Sequence, residues 1–103
     1  MGKARARRLR YPRPALAELD QLLDYISARS PQAARRVQKR IKTLLDLLCD
    51  YPGVGSPTND PLIRRMTTHP YPYLVFYEVA DQEVIVHAVR HGAADPDSMP
   101  GAG

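Results

Sequence analysis

Two leucine-rich runs at helical spacing, joined only through Ser30-Pro31, constrain this chain more than any other feature of it. In the first, Leu16, Leu19, Leu22, Leu23 and Ile26 recur every three or four residues, while Glu18, Gln21, Asp24 and Tyr25 fill the other side. In the second, Ala34, Val37, Ile41, Leu44, Leu45 and Leu48 make one apolar stripe at the helical period. Pro14 suits the opening turn of the first helix, where a missing N–H costs little, and that helix is expected to stop around Arg29. Ser30 is placed to cap the second helix and Pro31 to occupy its first turn. Tyr51-Pro52-Gly53 ends it, because Pro52 cannot continue the ladder and Gly53 suits a left-handed turn. Helices joined by so short a link fold back as an antiparallel hairpin.

Beyond a stretch of turn formers at residues 54–61, the apolar period changes from 3.6 to 2. Residues 62–68, 73–80 and 83–90 read as strands, the last two rich in aromatic and β-branched side chains and joined by a tight turn at Asp81-Gln82. Residues 8–11 read as an edge strand ended by Pro12. The order β-α-α-β-β-β predicts an α+β domain, a helical hairpin lying on one face of a three- to four-stranded antiparallel sheet. The other face looks outward and carries Arg64 or Arg65, one alternate set of residues 73–79, and His87 or its neighbours.

A chain of 103 residues holds one core. We expect a flexible basic arm at residues 1–7, the domain at 8–96 and a flexible tail at 97–103. The single cysteine, Cys49, excludes an intrachain disulfide and a cysteine-based zinc cluster; it reads as an apolar filler on the second helix. No apolar run reaches the length of a membrane span, and residues 1–13 lack the apolar stretch of a secretory signal, so the expected location is the cytoplasm with no membrane partner. The net charge of +4 is uneven: Lys3, Arg5, Arg7, Arg8, Arg10 and Arg13 stand near the N-terminus without an acid, and the remainder is slightly acidic. Such an arm either meets an acidic partner or is solvated. The same alternatives hold for Arg35, Arg36, Lys39, Arg40 and Lys42 on the second helix.

No phosphate-cradling glycine loop or nucleophile elbow is present, and no metal or cofactor is implied. His87 and His91 share a strand phase, but about 13 Å of extended backbone separates them, too far for one ion. His91 lies at the end of the last strand between Arg90 and Gly92 and can exchange a proton near neutral pH. Arg64, Arg65, Tyr77 and His91 together would make a cationic face able to cleave RNA without metal. In the plainer alternative Arg90 pairs with an acid and His91 only caps the strand.

Four segments in register resemble the ParE/RelE superfamily of toxins: Ala15 to Ile26 with its Ala-Glu-Leu-Asp, Ser30-Pro31-Gln32-Ala33-Ala34, Leu47 to Gly55 with Asp50-Tyr51-Pro52-Gly53, and Tyr71-Pro72-Tyr73 to Tyr77 with Val89-Arg90-His91-Gly92-Ala93. The resemblance runs from about Leu9 to Pro96 and is closer to ParE than to RelE. It implies the toxin of a type II toxin–antitoxin system, acting in growth inhibition and plasmid stabilisation. RelE-like members cut messenger RNA at the ribosome, whereas ParE-like members inhibit DNA gyrase. Leu74 stands where RelE-like nucleases carry a cation after the strand-opening tyrosine, and no basic residue follows Gly92-Ala93-Ala94-Asp95-Pro96; both argue against cleavage. Ala94 replaces an arginine common in ParE-like chains, which leaves a non-toxic antitoxin-binding relative as a further alternative. The resemblance further implies a small antitoxin with an acidic C-terminal segment, held in a toxin–antitoxin hetero-oligomer along the helical hairpin. The residues expected to hold it are Leu19, Leu23, Arg36, Lys39, Arg40, Arg64 and Arg65. Arg90, His91 and Asp95 are expected to meet gyrase.

Overall fold

The computed structural model describes residues 6–93 and 99–101. In chain order these form β1 (Arg8–Arg10), α1 (Arg13–Arg29), α2 (Pro31–Asp50), a 3-10 turn (Pro52–Val54), β2 (Ser56–Pro57), β3 (Arg64–Thr67), β4 (Tyr73–Val79) and β5 (Glu83–His91). Ser30 alone separates the helices and serves both. Its N–H donates to the Ile26 carbonyl at 2.8 Å, closing α1, and its hydroxyl accepts from the Ala33 N–H at 3.1 Å, opening α2. Ser30 is extended (φ −158°, ψ 106°), so the chain reverses at a single residue and the helices are forced side by side. At the other end of α2, Gly53 does not take the left-handed turn expected of it. Pro52 instead starts the 3-10 turn at once, and the only residue with positive φ among those described is Gly101.

The sheet has five strands in the order β1-β5-β4-β3-β2. β1 lies parallel to β5, with Leu9 opposite Val84, and the other pairings are antiparallel. The sheet therefore exceeds the expected three to four strands and is mixed. A parallel neighbour needs a long crossover, which the helical hairpin and the strands after it supply. The added strand β2 is two residues long and includes Pro57, tolerable only at an edge.

One face of the sheet receives the helices. Leu45 and Leu48 of α2 and Ala15 and Leu19 of α1 close over Val75, Tyr77, Val84, Val86 and Val89. A register shift at Phe76/Tyr77 puts Ala88 opposite Phe76 but Val86 opposite Tyr77, leaving His87 as the extra residue of a bulge. The bulge allows Val86 and Val89, of opposite strand phase, both to reach the helices. Ile63, Phe76 and Ala88 form a second buried cluster, joined by Leu74 and Met99. Residues 99–101, expected to belong to a flexible tail, thus contribute to packing, because the outer face has apolar surface to cover.

Leu48 is fully buried. Leu48→Ala is expected to lower the unfolding free energy by about 2–5 kcal/mol in chemical denaturation. Loss of the shared cap in Ser30→Ala should cost about 1 kcal/mol.

Candidate functional site

β1 accompanies β5 only from Glu83 to Ile85, and further along β5 the side chain of Glu18 from α1 takes over. One carboxylate oxygen, Oε1, accepts the Val89 N–H at 2.8 Å, and the other, Oε2, lies 2.6 Å from Nε of Arg90. The edge-strand amide is thereby satisfied and the guanidinium held against α1. The acid partner envisaged for Arg90 is thus Glu18. His91, next in the strand, is exposed. Its ring meets Tyr73 edge to face, centroids 5.5 Å apart, and its Nδ1 accepts the Ala93 N–H at 2.9 Å. In the neutral tautomer the proton then sits on Nε2. Arg90 and His91 form one end of the sheet, with opposite strand phases; Ala94 and Asp95 lie outside the described residues. This is a surface suited to recognition, with one guanidinium already neutralised in part.

The four residues of the ribonuclease reading do not come together. Tyr77 is fully buried on the helix side of the sheet. Its hydroxyl donates to the Pro52 carbonyl at 2.8 Å and accepts the Gly55 N–H at 3.0 Å. A Cβ on Gly55 would lie 2.3 Å from that hydroxyl, so only glycine fits there. Nη2 of Arg64 donates to the Gly53 and Gly55 carbonyls at 3.0 and 2.6 Å. Tyr77 and Arg64 together fasten the 52–55 loop rather than facing solvent. Arg65, opposite Phe76, occupies the outer face, away from Tyr77. His91 pairs with Tyr73, four residues or about 13 Å from Tyr77 along the strand.

Along the hairpin runs the expected groove. Beside β1 it is a cleft of about 310 Å³ whose walls include Leu9, Tyr11, Leu16, Leu19, Ile41 and Lys42. A more polar hollow lined by Leu23, Asp20, Asp24 and Arg35 adjoins it, and Gln38 borders both. Leu19 and Leu23 line the groove, and Leu16 adds apolar surface that is 44% exposed. The expected cations do not line it. Arg35, Gln38 and Lys42 share the groove-facing side of α2 at i, i+3 and i+7, a phase the sequence contains and our reading missed. Arg36 and Lys39 fall outside the lining, and Arg40 turns to the 68–72 loop, donating to the His69 carbonyl at 2.8 Å. Arg64 and Arg65 stand on β3, across the sheet from β1.

Burial, then the nearby Asp46, push the Tyr11 phenol up to about 12. Burial, then Asp46 and Asp50, likewise raise the Cys49 thiol, which suits a packing role. Because the folded state holds the Tyr11 proton longer than the unfolded chain, this group favours folding below pH 10 and loses that effect as pH rises to about 12. Stability of the native protein should therefore fall more steeply across this window than that of Tyr11→Phe in urea titrations. Glu18→Ala, which strips the Val89 amide and Arg90 of their acceptor, should cost about 1–3 kcal/mol. Glu18→Gln retains an acceptor and should cost less.

The profile of the ParE toxin of type II toxin–antitoxin systems, parDE, matches residues 9–96. Toxin RelE2 of Caulobacter vibrioides is 42% identical over 79 residues, 77% of this chain and 88% of that protein. Putative toxin Y4kP of Sinorhizobium fredii is 34% identical over 85 residues, 82% of this chain and 88% of that protein. The solved chromosomal ParDE toxin–antitoxin system from P. aeruginosa contains a chain of the same fold, with a TM-score of 0.71 at 24% identity, over 84% of this chain and 96% of that one. With nearly the whole domain matched, the chain belongs to the ParE toxin family of type II toxin–antitoxin systems.

Proposed function

We propose that this toxin inhibits DNA gyrase through a protein surface formed by Arg90 and His91 at the end of β5, together with Asp95. The observation that carries the reading is the engagement of Tyr77 and Arg64. The tyrosine hydroxyl is buried between Pro52 and Gly55, and the guanidinium holds two backbone carbonyls. Neither is presented to an RNA substrate, and Leu74 supplies no cation where cleavage would need one. Recognition of a protein needs only an exposed, shaped surface, which the sheet end offers.

The cognate antitoxin, in this reading, lays an amphipathic segment along the hairpin. Its apolar side chains enter the cleft at Leu9, Leu16, Leu19 and Ile41, and its polar side chains meet a mixed rim of Arg35, Asp20, Asp24 and the Lys42–Asp46 pair. The complex is a cytoplasmic hetero-oligomer. Covering Leu16 and Leu23 also lowers exposed apolar area, so co-expression with the antitoxin should raise the soluble yield.

The deciding experiment incubates the purified toxin with gyrase and plasmid, and in parallel with ribosome-bound message. Cleaved-DNA complexes with intact RNA are expected, weakened at least tenfold by His91→Ala. Cut RNA would replace this reading with the nuclease one, for which the RelE2 name of the 42% identical relative speaks. Inactivity in both assays with retained antitoxin binding would make the chain a non-toxic binding relative. Leu16→Glu should lower antitoxin affinity at least tenfold in calorimetry and leave the effect on gyrase unchanged.

A further inference from the structure

The face of the sheet turned away from the helices carries an apolar strip that water does not reach. Phe76 and Ala88 are 2% and 1% exposed there, although α1 and α2 lie on the other face. Met99, near the end of the chain, packs against the cluster that these two residues form with Ile63, as does Leu74. Two residues later the Gly101 carbonyl accepts the Asn59 N–H at 3.1 Å. Gly101 has φ 75°, and a Cβ there would lie 2.2 Å from the Thr58 hydroxyl oxygen. Glycine is thus demanded both by backbone conformation and by space, so residues 99–101 fit this place closely. Strand register puts Arg65 beside Phe76 and Arg90 beside Leu74 on the same face. Arg65 is exposed beside the strip, whereas the Arg90 guanidinium is turned to Glu18.

We propose that Met99–Gly101 is a reversible cover over an interaction surface, and that the target of the toxin competes for the same place. The seated residues show what the surface accepts: a turn offering one unbranched apolar side chain to the cluster of Ile63, Phe76 and Ala88, and a backbone carbonyl to Asn59. Exposed Arg65 adds a preference for a carboxylate beside that side chain. The contact is small, made by a flexible methionine and a short stretch of backbone, and a longer ligand with the same chemistry displaces it by mass action. The proposal rests on the reading that Arg90 meets the target, and it extends that surface from the sheet end across the outer face.

The test compares the full chain with a form ending at residue 98 and with full-length Met99→Ser, folding of each being checked by circular dichroism. Two readouts need no target: hydrogen exchange of the Asn59 amide and binding of an anilinonaphthalene sulfonate dye. Both are expected to rise at least threefold in the two variants, and unchanged values overturn the cover. In the gyrase assay the variants should reach half-inhibition at no more than a third of the concentration the full chain needs. Equal or weaker inhibition by a folded variant of an active toxin overturns the competition. If all three forms are inert on gyrase, the gyrase reading and the competition built on it fall together, and exchange and dye binding still decide the cover.

Discussion

Burial of the α2 stripe against the valines of β4 and β5 is the interaction on which the rest of the molecule depends. Leu45 and Leu48 are almost wholly withdrawn from water, as are Val75, Val84, Val86 and Val89. Each such side chain contributes about 1.5–3 kcal/mol when fully buried, far more than an exposed ion pair such as Lys42–Asp46. Once α2 is seated, the one-residue reversal at Ser30 leaves α1 no place but alongside it and over β5. Glu18 then arrives at the uncovered edge of β5, where it holds the Val89 amide and Arg90. A helix docked for apolar reasons thus sets the position of a charged residue on the candidate target surface.

The fold also determines which polar side chains are available. Tyr77, Arg64 and Gly55 form a closed set in which hydroxyl, guanidinium and backbone satisfy one another. A buried hydroxyl without partners would carry a desolvation penalty, so once Tyr77 turns inward the 52–55 loop must come to it. Residue types that suggest proton transfer in a list of amino acids here act as loop anchors. What stays on the surface is suited to recognition: the groove of the hairpin on one side, and the sheet end with its outer strip on the other. The two surfaces are built by different elements, with Glu18 of α1 reaching the sheet end.

Much of this was legible beforehand because it is local. Apolar side chains at i, i+3 and i+4 can be gathered on one side only by a helix, and alternation in residues 73–80 only by a strand. The cap at Ser30 and the turn at Asp81-Gln82 are also short-range chemistry. The lining of the groove by Leu19 and Leu23 follows from the same periodicity. Helix phase alone would also have pointed to Arg35 and Lys42 in place of Arg36, Lys39 and Arg40, since it places the former pair with Gln38.

Other features depend on residues far apart in the chain. The parallel pairing of β1 with β5, the two-residue strand β2, the bulge at His87, the inward turn of Tyr77 and the seat of Met99 all join distant segments. Nothing in the amino-acid order near Met99 points to Phe76, and nothing near Gly55 points to Tyr77. The sequence by itself determined the hairpin and the strands β3 to β5, because periodicity and capping act within a few residues, and its motif segments carried the resemblance to a toxin family. Only the tertiary structure decided which polar groups face solvent and which are tied to backbone, because that depends on the side of the sheet each strand residue takes once the helices have packed.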